Sequence, residues 1–309
     1  MPYRIRPHRD LSVEVGSVAR HQLQLAIDVL RERPDGLHDA IHEARKKLKR
    51  VRNLYRLLAA TDKTFYAGEN TRLGDAARSL SRVRDATALM ETTRHLAGFA
   101  LSEEEAETLE ATRTVLELRR DDVERDEIDL EDKVASVIEQ CDAASTALDT
   151  IDLPSKPGPA ARLLAKGWRK ALRRARTALE ACQGEGHGEA FHDLRKAGQS
   201  YWMNLSLLGD LWPSAFAAKR QEAKRLVDLL GHEHDLTVLT ELFDHEPDLF
   251  GNGENQSFLL AIIIRRQQDL RREALALAET VFAGDARQEA GVIETLWTAA
   301  AIGQKSGRG

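Results

Sequence analysis

The sequence predicts an all-α fold made of two repeats of about four helices each, and three observations carry that prediction. Nearly every long segment spaces its apolar residues at the helical period, and no hairpin dipeptide lies between alternating β-branched runs. Only 8 prolines and 5% aromatic residues, against abundant Ala, Leu, Arg and Glu, favour helix over sheet. Two landmarks recur at one offset, since His42 and His192, and Asp85 and Asp235, each lie 150 positions apart.

The elements follow in chain order. An amphipathic helix over 14–33 stops at "ERPDG" (32–36), where proline and glycine interrupt the period. The next, 37–60, holds "IHEARKKLKRVRNLYRLL" (41–58), and 69–97 holds "VRDATALMETT" (83–93). The helix expected over 103–140 is strongly acidic between 102 and 132. "DLPSKPGPA" (152–160) is the clearest break, because its three prolines cannot continue a helix. It divides the chain into a first repeat (1–151), a linker (152–160) and a second repeat (161–309).

The helix predicted over 159–183 follows the break and ends at "QGEGHG" (183–188). In 187–209, "AFHDLRK" (190–196) restates "AIHEARK" (40–46), and in 214–243, "EHDLTVLTELF" (233–243) restates the segment around Asp85. "HEPDLFGNGEN" (245–255) and "FAGD" (282–285) bound the last two helices, 256–282 and 285–302, and "LRREA" (270–274) follows "LRRDD" (118–122) nearly in step.

With 309 residues the chain has ample length for a core, and 42% hydrophobic with 31% charged residues describes a soluble, charge-rich helical protein. No apolar run approaches the ~18–20 residues that cross a bilayer, and "MPYRIRPHRDLSVEVG" lacks the apolar region of a signal peptide. Cys141 and Cys182 form no metal or redox spacing, so a cytoplasmic protein is expected. The net charge of −5 conceals segregation: 153–179 contains no acid, while Lys156, Arg162, Lys166, Arg169, Lys170, Arg173, Arg174 and Arg176 are basic.

Projected at 100° per residue from His42, Arg45 falls at about 300°, Lys46 at about 40°, Lys49 at about 340°, Arg52 at about 280° and Arg56 at about 320°. Arg50 lies on the edge of that ladder, and Ala44, Leu48, Val51, Leu54, Tyr55 and Leu58 form the opposite, core face. The same projection gathers Arg162, Lys166, Arg169, Arg173 and Arg176 opposite Trp168 and Leu172. An ordinary solvated helix alternates charge signs at i and i+4; these helices stack like charges, which is destabilising without an outside anion. A basic stripe also fits a solubilising face or the partner of an acidic helix such as 102–132. His232 and His234 diverge by about 200° on a helix and are not expected to chelate one metal. No phosphate loop and no Ser-His-Asp or Cys-His arrangement is found.

These residues resemble the CHAD domain, the conserved histidine α-helical domain, over about 15–300. The first motif copy is "IHEARKKLKRVRNLYRLL", and "FHDLRKAGQSYWMNLSLLG" (191–209) is similar to the second. "SLSRVRDATAL" (79–89) and "LLGHEHDLTVL" (229–239) are similar to the segments that follow them, and the chain reads as a stand-alone member. The resemblance implies two antiparallel four-helix bundles related by a pseudo-twofold axis. It also implies non-catalytic binding of inorganic polyphosphate along a basic surface or channel between the halves.

By the same resemblance, the binding residues are His42, Arg45, Lys46, Lys49, Arg52, His192, Arg195 and Lys196. The basic surface extends to Arg50, Arg56, Arg84, Arg169, Arg173, Arg176, Lys224 and Arg266. The second copy departs from the pattern at Gln199, Ser200 and Trp202, so its cationic ladder is shorter. No cofactor or metal is expected. Beyond polyphosphate, the expected partners are other proteins of polyphosphate granules, with nucleic acid as a competing polyanion and no membrane. RNA binding and phosphoryl transfer on polyphosphate stand as alternatives, the latter because Glu43, Asp85, Asp193 and Asp235 could hold a divalent ion.

Overall fold

Eleven α-helices and two short 3₁₀ turns succeed one another, with no strand among the described residues. The computed structural model describes residues 3–184, 188–251 and 253–303, leaving out the side chains of 82–84, 124 and 303. The helices are α1 (Leu11–Glu32), α2 (Leu37–Leu58), α3 (Lys63–Ser79), α4 (Ser81–Ala97), α5 (Glu103–Asp126), α6 (Leu130–Ala147), α7 (Pro157–Gly184), α8 (Gly188–Leu207), α9 (Pro213–His245), α10 (Gly253–Val281) and α11 (Ala286–Gly303).

Local chemistry sets several of these ends. Asp10 caps α1 by accepting from the Val13 N–H at 3.1 Å, and Asp62 caps α3 by accepting from Phe65 at 2.9 Å. At α5, Ser102 accepts from the Glu105 N–H at 3.1 Å while the Glu105 carboxylate accepts from the Leu101 N–H at 2.8 Å. Arg33 closes α1 in the left-handed region at φ 47°, and Gly36, at φ 90°, turns the chain into α2.

Two long helices of the sequence reading divide. The helix expected over 69–97 begins at Lys63 and bends at Leu80, whose φ and ψ of −97° and 11° leave the helical region. Leu80 is itself buried, so the apolar period runs through the bend without a proline or glycine to mark it. The helix expected over 103–140 stops at Asp126 and restarts at Leu130, with buried Glu127 ion-paired to Lys133. The expected linker also shortens, because Pro157 and Pro159 sit in the first turn of α7, where the missing N–H costs nothing. α3 and α9 start 150 positions apart, as do α5 and α10.

The packing cuts across the two sequence halves. One core joins α1, α2, α3 and α6 to α7, α8, α11, the first half of α9 and the end of α10, with Trp168, Trp297, Tyr55 and Tyr201 among its buried rings. A second joins Leu89, Leu96, Leu109 and Leu116 of α4 and α5 to Leu239, Phe243, Leu259 and Ile263 of α9 and α10. α2 is the hub: it packs on α1 and α3 of its own half and on α7 and α8 of the other. At the α2–α8 crossing, Asn53 donates to Asn204 at 2.8 Å and accepts from Ser200 at 2.7 Å, all three within the helix seam. At the α2–α7 crossing, Gly167 lies so close to the Leu57 carbonyl that a Cβ would sit 2.0 Å from the oxygen. No described helix is long and apolar enough to cross a membrane.

Candidate functional site

The crossing pattern brings the first turns of α2 and the middle of α8 against α4 and α9. A cavity of about 280 Å³ opens there, lined by His42, Arg45, Lys46 and Lys49 of α2, Asp85 and Thr92 of α4, Arg195 of α8, and His234 and Asp235 of α9. Cations from both halves of the sequence therefore meet in one space.

The side chains are held by their own elements. Arg45 donates to the Ala77 carbonyl at the end of α3, which fixes its stem against the bend. Lys46 and Lys47 both pair with Glu43. Burial alone would raise the Glu43 carboxyl, but the hydrogen bonds from Lys46 and Lys47 overcome it and hold the group at about 2. Lys196 pairs with Asp193 at 3.1 Å.

Next to the cavity the rings of His192 and His234 lie 4.7 Å apart with a tilt of 36°. Burial, then the charges of Arg195, His192, Lys49 and Lys196, push His234 down to about 4. Burial and then Lys196 and Arg195 also lower His192, against the opposing pull of Asp193 and Glu241. Arg195 is itself lowered by burial, opposed by Asp235 and Glu233. His192 Nδ1 and Arg195 Nε are buried with no hydrogen-bond partner among the described residues. Behind them buried Glu233 takes Arg271 at 2.7 Å, and the Arg271 guanidinium lies 4.8 Å from the Phe191 ring.

The other residues of the sequence reading fall outside this cavity. Arg52 donates to Asn70 at 3.2 Å, and burial followed by the neighbouring Arg78 lowers it. Arg56 is pushed down to about 10 by burial and then by Arg52 and Arg174. It lines a second groove of about 480 Å³ with Lys63, Lys166 and Lys170, some 21 Å along α2 from His42 at 1.5 Å per residue. On α7, then, Lys166, Lys170 and Arg174 approach α2. Arg173 and Arg176 lie near Asp285, whose carboxyl is lowered first by the Gln288 and Arg287 N–H groups and then by these two cations. Arg169, on the same helix, is half-buried.

Arg266 stacks at 3.7 Å on Phe99, an exposed ring just past the end of α4, away from α2. Arg50 and Lys224 line a separate cavity. The Arg84 side chain lies outside the described residues. The acidic α5 does not neutralise the basic stripes: it packs on α4 and α10, and its Glu105 is held by Arg265 at 2.7 Å.

The sequence reading did not select His234. It stands 150 positions after Arg84, so the repeat offset that matched Asp85 with Asp235 carries the signal for it.

Three comparisons bear on this arrangement. The family model described as CHAD domain matches residues 19–244. The crystal structure of the CHAD domain from the plant Ricinus communis superposes with a TM-score of 0.59 at 17% identity, covering 91% of this chain and 94% of that one. No curated protein matches.

Proposed function

Since the chain belongs to the CHAD domain family, we propose that it binds inorganic polyphosphate in the cavity between α2, α4, α8 and α9 and performs no chemistry on it. The observation that carries this reading is the meeting of Lys49 of α2 and Arg195 of α8 around an imidazole, His234, that their charges help to hold near 4. Four cations, Arg45, Lys46, Lys49 and Arg195, face two carboxylates, Asp85 and Asp235, in this space, and the cationic excess favours an anionic ligand.

A polyphosphate chain presents repeated phosphate oxygens and no bases. Arg195 offers a planar fork whose Nε has no protein partner, and Lys49 offers a mobile point charge. Beside the cavity, His192 Nδ1 is a further buried nitrogen without a hydrogen-bond partner among the described residues. Among the described residues no Trp, Tyr or Phe lines the cavity, which disfavours stacking of nucleic-acid bases there. The separate groove at Arg56, Lys63, Lys166 and Lys170 offers a second cationic contact to a longer chain. Attachment to polyphosphate granules follows from the same contacts, with partner proteins recruited elsewhere on the surface.

Titration with polyphosphates of defined length, with length-matched RNA and heparin as competitors at one salt concentration, tests the reading. Polyphosphate is expected to displace RNA, and RNA binding equally tightly would contradict it. A second reading is phosphoryl transfer with Asp85 and Asp235 of the same cavity as the metal carboxylates, against which stands the absence, among the described residues, of any group of three or more His, Cys, Asp or Glu placed to hold a metal. Phosphate release that depends on magnesium would select that reading.

A further inference from the structure

We infer that the cavity bounded by α1, α2, α8 and α9 is a separate site for a nucleoside polyphosphate, with Trp202 as the platform for the base. The cavity measures about 730 Å³, within the ~300–1,000 Å³ common for small-ligand sites. It is lined by Tyr3 of the N-terminal segment, Gln22 of α1, Arg50 of α2, Trp202 of α8, and Arg220 and Lys224 of α9.

The repeat shows what is unusual about it. At the 150-residue offset, Trp202 stands where the first copy has Arg52, and Ser206 where it has Arg56. One copy of this face thus carries two guanidiniums and the other an indole and a hydroxyl. The cations of the second face come from other elements, Arg50 from α2 and Arg220 and Lys224 from α9, and they surround the ring. An inorganic phosphate chain gains little from an indole face, whereas a nucleobase stacks on it.

The walls are held in place. The Ile5 N–H donates to the Leu207 carbonyl at 3.0 Å and Arg6 pairs with buried Glu14 at 2.7 Å, which pins the segment that carries Tyr3. The Tyr3 hydroxyl donates to the Arg50 carbonyl at 2.8 Å, and the Arg50 guanidinium donates to Gln22 at 3.2 Å and lies 5.7 Å from the Tyr3 ring. The Lys224 ammonium lies 6.0 Å from the half-buried Trp202 ring and pairs with Asp228. Arg220 has no ion pair or hydrogen bond among the described residues, so its charge is open to a phosphate group. Phosphates on Arg220, Arg50 and Lys224, which line the cavity with Trp202, place a base within reach of its ring.

The test is calorimetric titration of the full chain with ATP, inorganic tripolyphosphate and adenosine at one salt concentration. ATP is expected to bind about tenfold or more tighter than tripolyphosphate, the margin that one stacked base supplies. Trp202→Ala should abolish that margin and leave tripolyphosphate unchanged, while Trp202→Phe should keep most of it. The Lys49→Gln/Arg195→Gln variant should retain the ATP margin, which separates this site from the polyphosphate cavity. Equal affinity for ATP and tripolyphosphate in the Lys49→Gln/Arg195→Gln variant, whose polyphosphate cavity is disabled, would overturn the inference. So would an unchanged margin in Trp202→Ala.

Discussion

Replacing Gly167 with alanine should destabilise the protein through a single methyl group. The added Cβ would stand 2.0 Å from the Leu57 carbonyl oxygen and 2.9 Å from Leu57 Cδ1, while ordinary contact starts at 3.4 Å. Either α7 withdraws from α2 by about 1.4 Å, or backbone atoms, which cannot swing aside as a flexible side chain can, must absorb the clash. Overpacking of this kind costs about 1–3 kcal/mol. At about 2–4 °C per kcal/mol for a chain somewhat smaller than this one, Tm should fall by about 2–12 °C.

Gly198→Ala is the matched control. Its Cβ would meet only Val227 Cγ2 at 3.6 Å, and alanine favours a helix interior over glycine by about 1 kcal/mol, so Tm should hold or rise. Thermal unfolding of the two variants beside wild type decides the matter. A Gly167→Ala Tm equal to wild type would refute the close α2–α7 crossing, and with it the approach of Lys166 and Lys170 to Arg56.

Asn53→Ala should lower stability by about 1–3 kcal/mol, because Asn204 then keeps a buried amide without its partner. Urea unfolding measures this, and a change below about 0.3 kcal/mol would show that the α2–α8 seam takes in water. A pH series follows from His234, whose ordinary value of 6.5 is depressed to about 4 by burial and the surrounding cations. The unfolded chain binds the extra proton, so this stability is complete above about pH 6.5 and is lost as pH falls towards 4. His234→Asn should flatten that part of the profile, and an unaltered profile would count against the buried neutral ring. Polyphosphate favours imidazolium at His192 and His234, so binding should take up protons and be tighter at pH 6 than at pH 8. Calorimetry in buffers of different ionisation enthalpy reads this directly, and an affinity flat across the interval, with ligand charge allowed for, would contradict it.

The helical class and the first site residues were legible because they depend on local period. His42, Arg45, Lys46 and Lys49 share a face by spacing alone, and the motif at His192 and Arg195 repeats it. The bend at Leu80 was not legible, since a buried leucine continues the apolar stripe that the bend interrupts. A helical projection gives an azimuth and no neighbours. It therefore groups Arg50 and Lys224 with residues of a cavity they do not line, and it gives no sign that Arg266 stacks on Phe99. The packing of α4 and α5 on α9 and α10 depends on contacts more than a hundred residues apart, which no local pattern encodes. His234 was visible only through the repeat, opposite Arg84.

The central claim is that one polyanion is held by cations from both sequence halves in a single cavity. The salt dependence of polyphosphate affinity in wild type, Lys49→Gln, Arg195→Gln and the double variant measures it. Each cation that neutralises a phosphate of a flexible single-stranded polyanion contributes about 0.7 to the slope of log K against log salt. Each single variant should therefore flatten the slope by about 0.7, and the double variant by about 1.4. A slope that changes for one of the two residues and not for the other would contradict a shared anion, and slopes unchanged in all three would remove the cavity from polyphosphate binding.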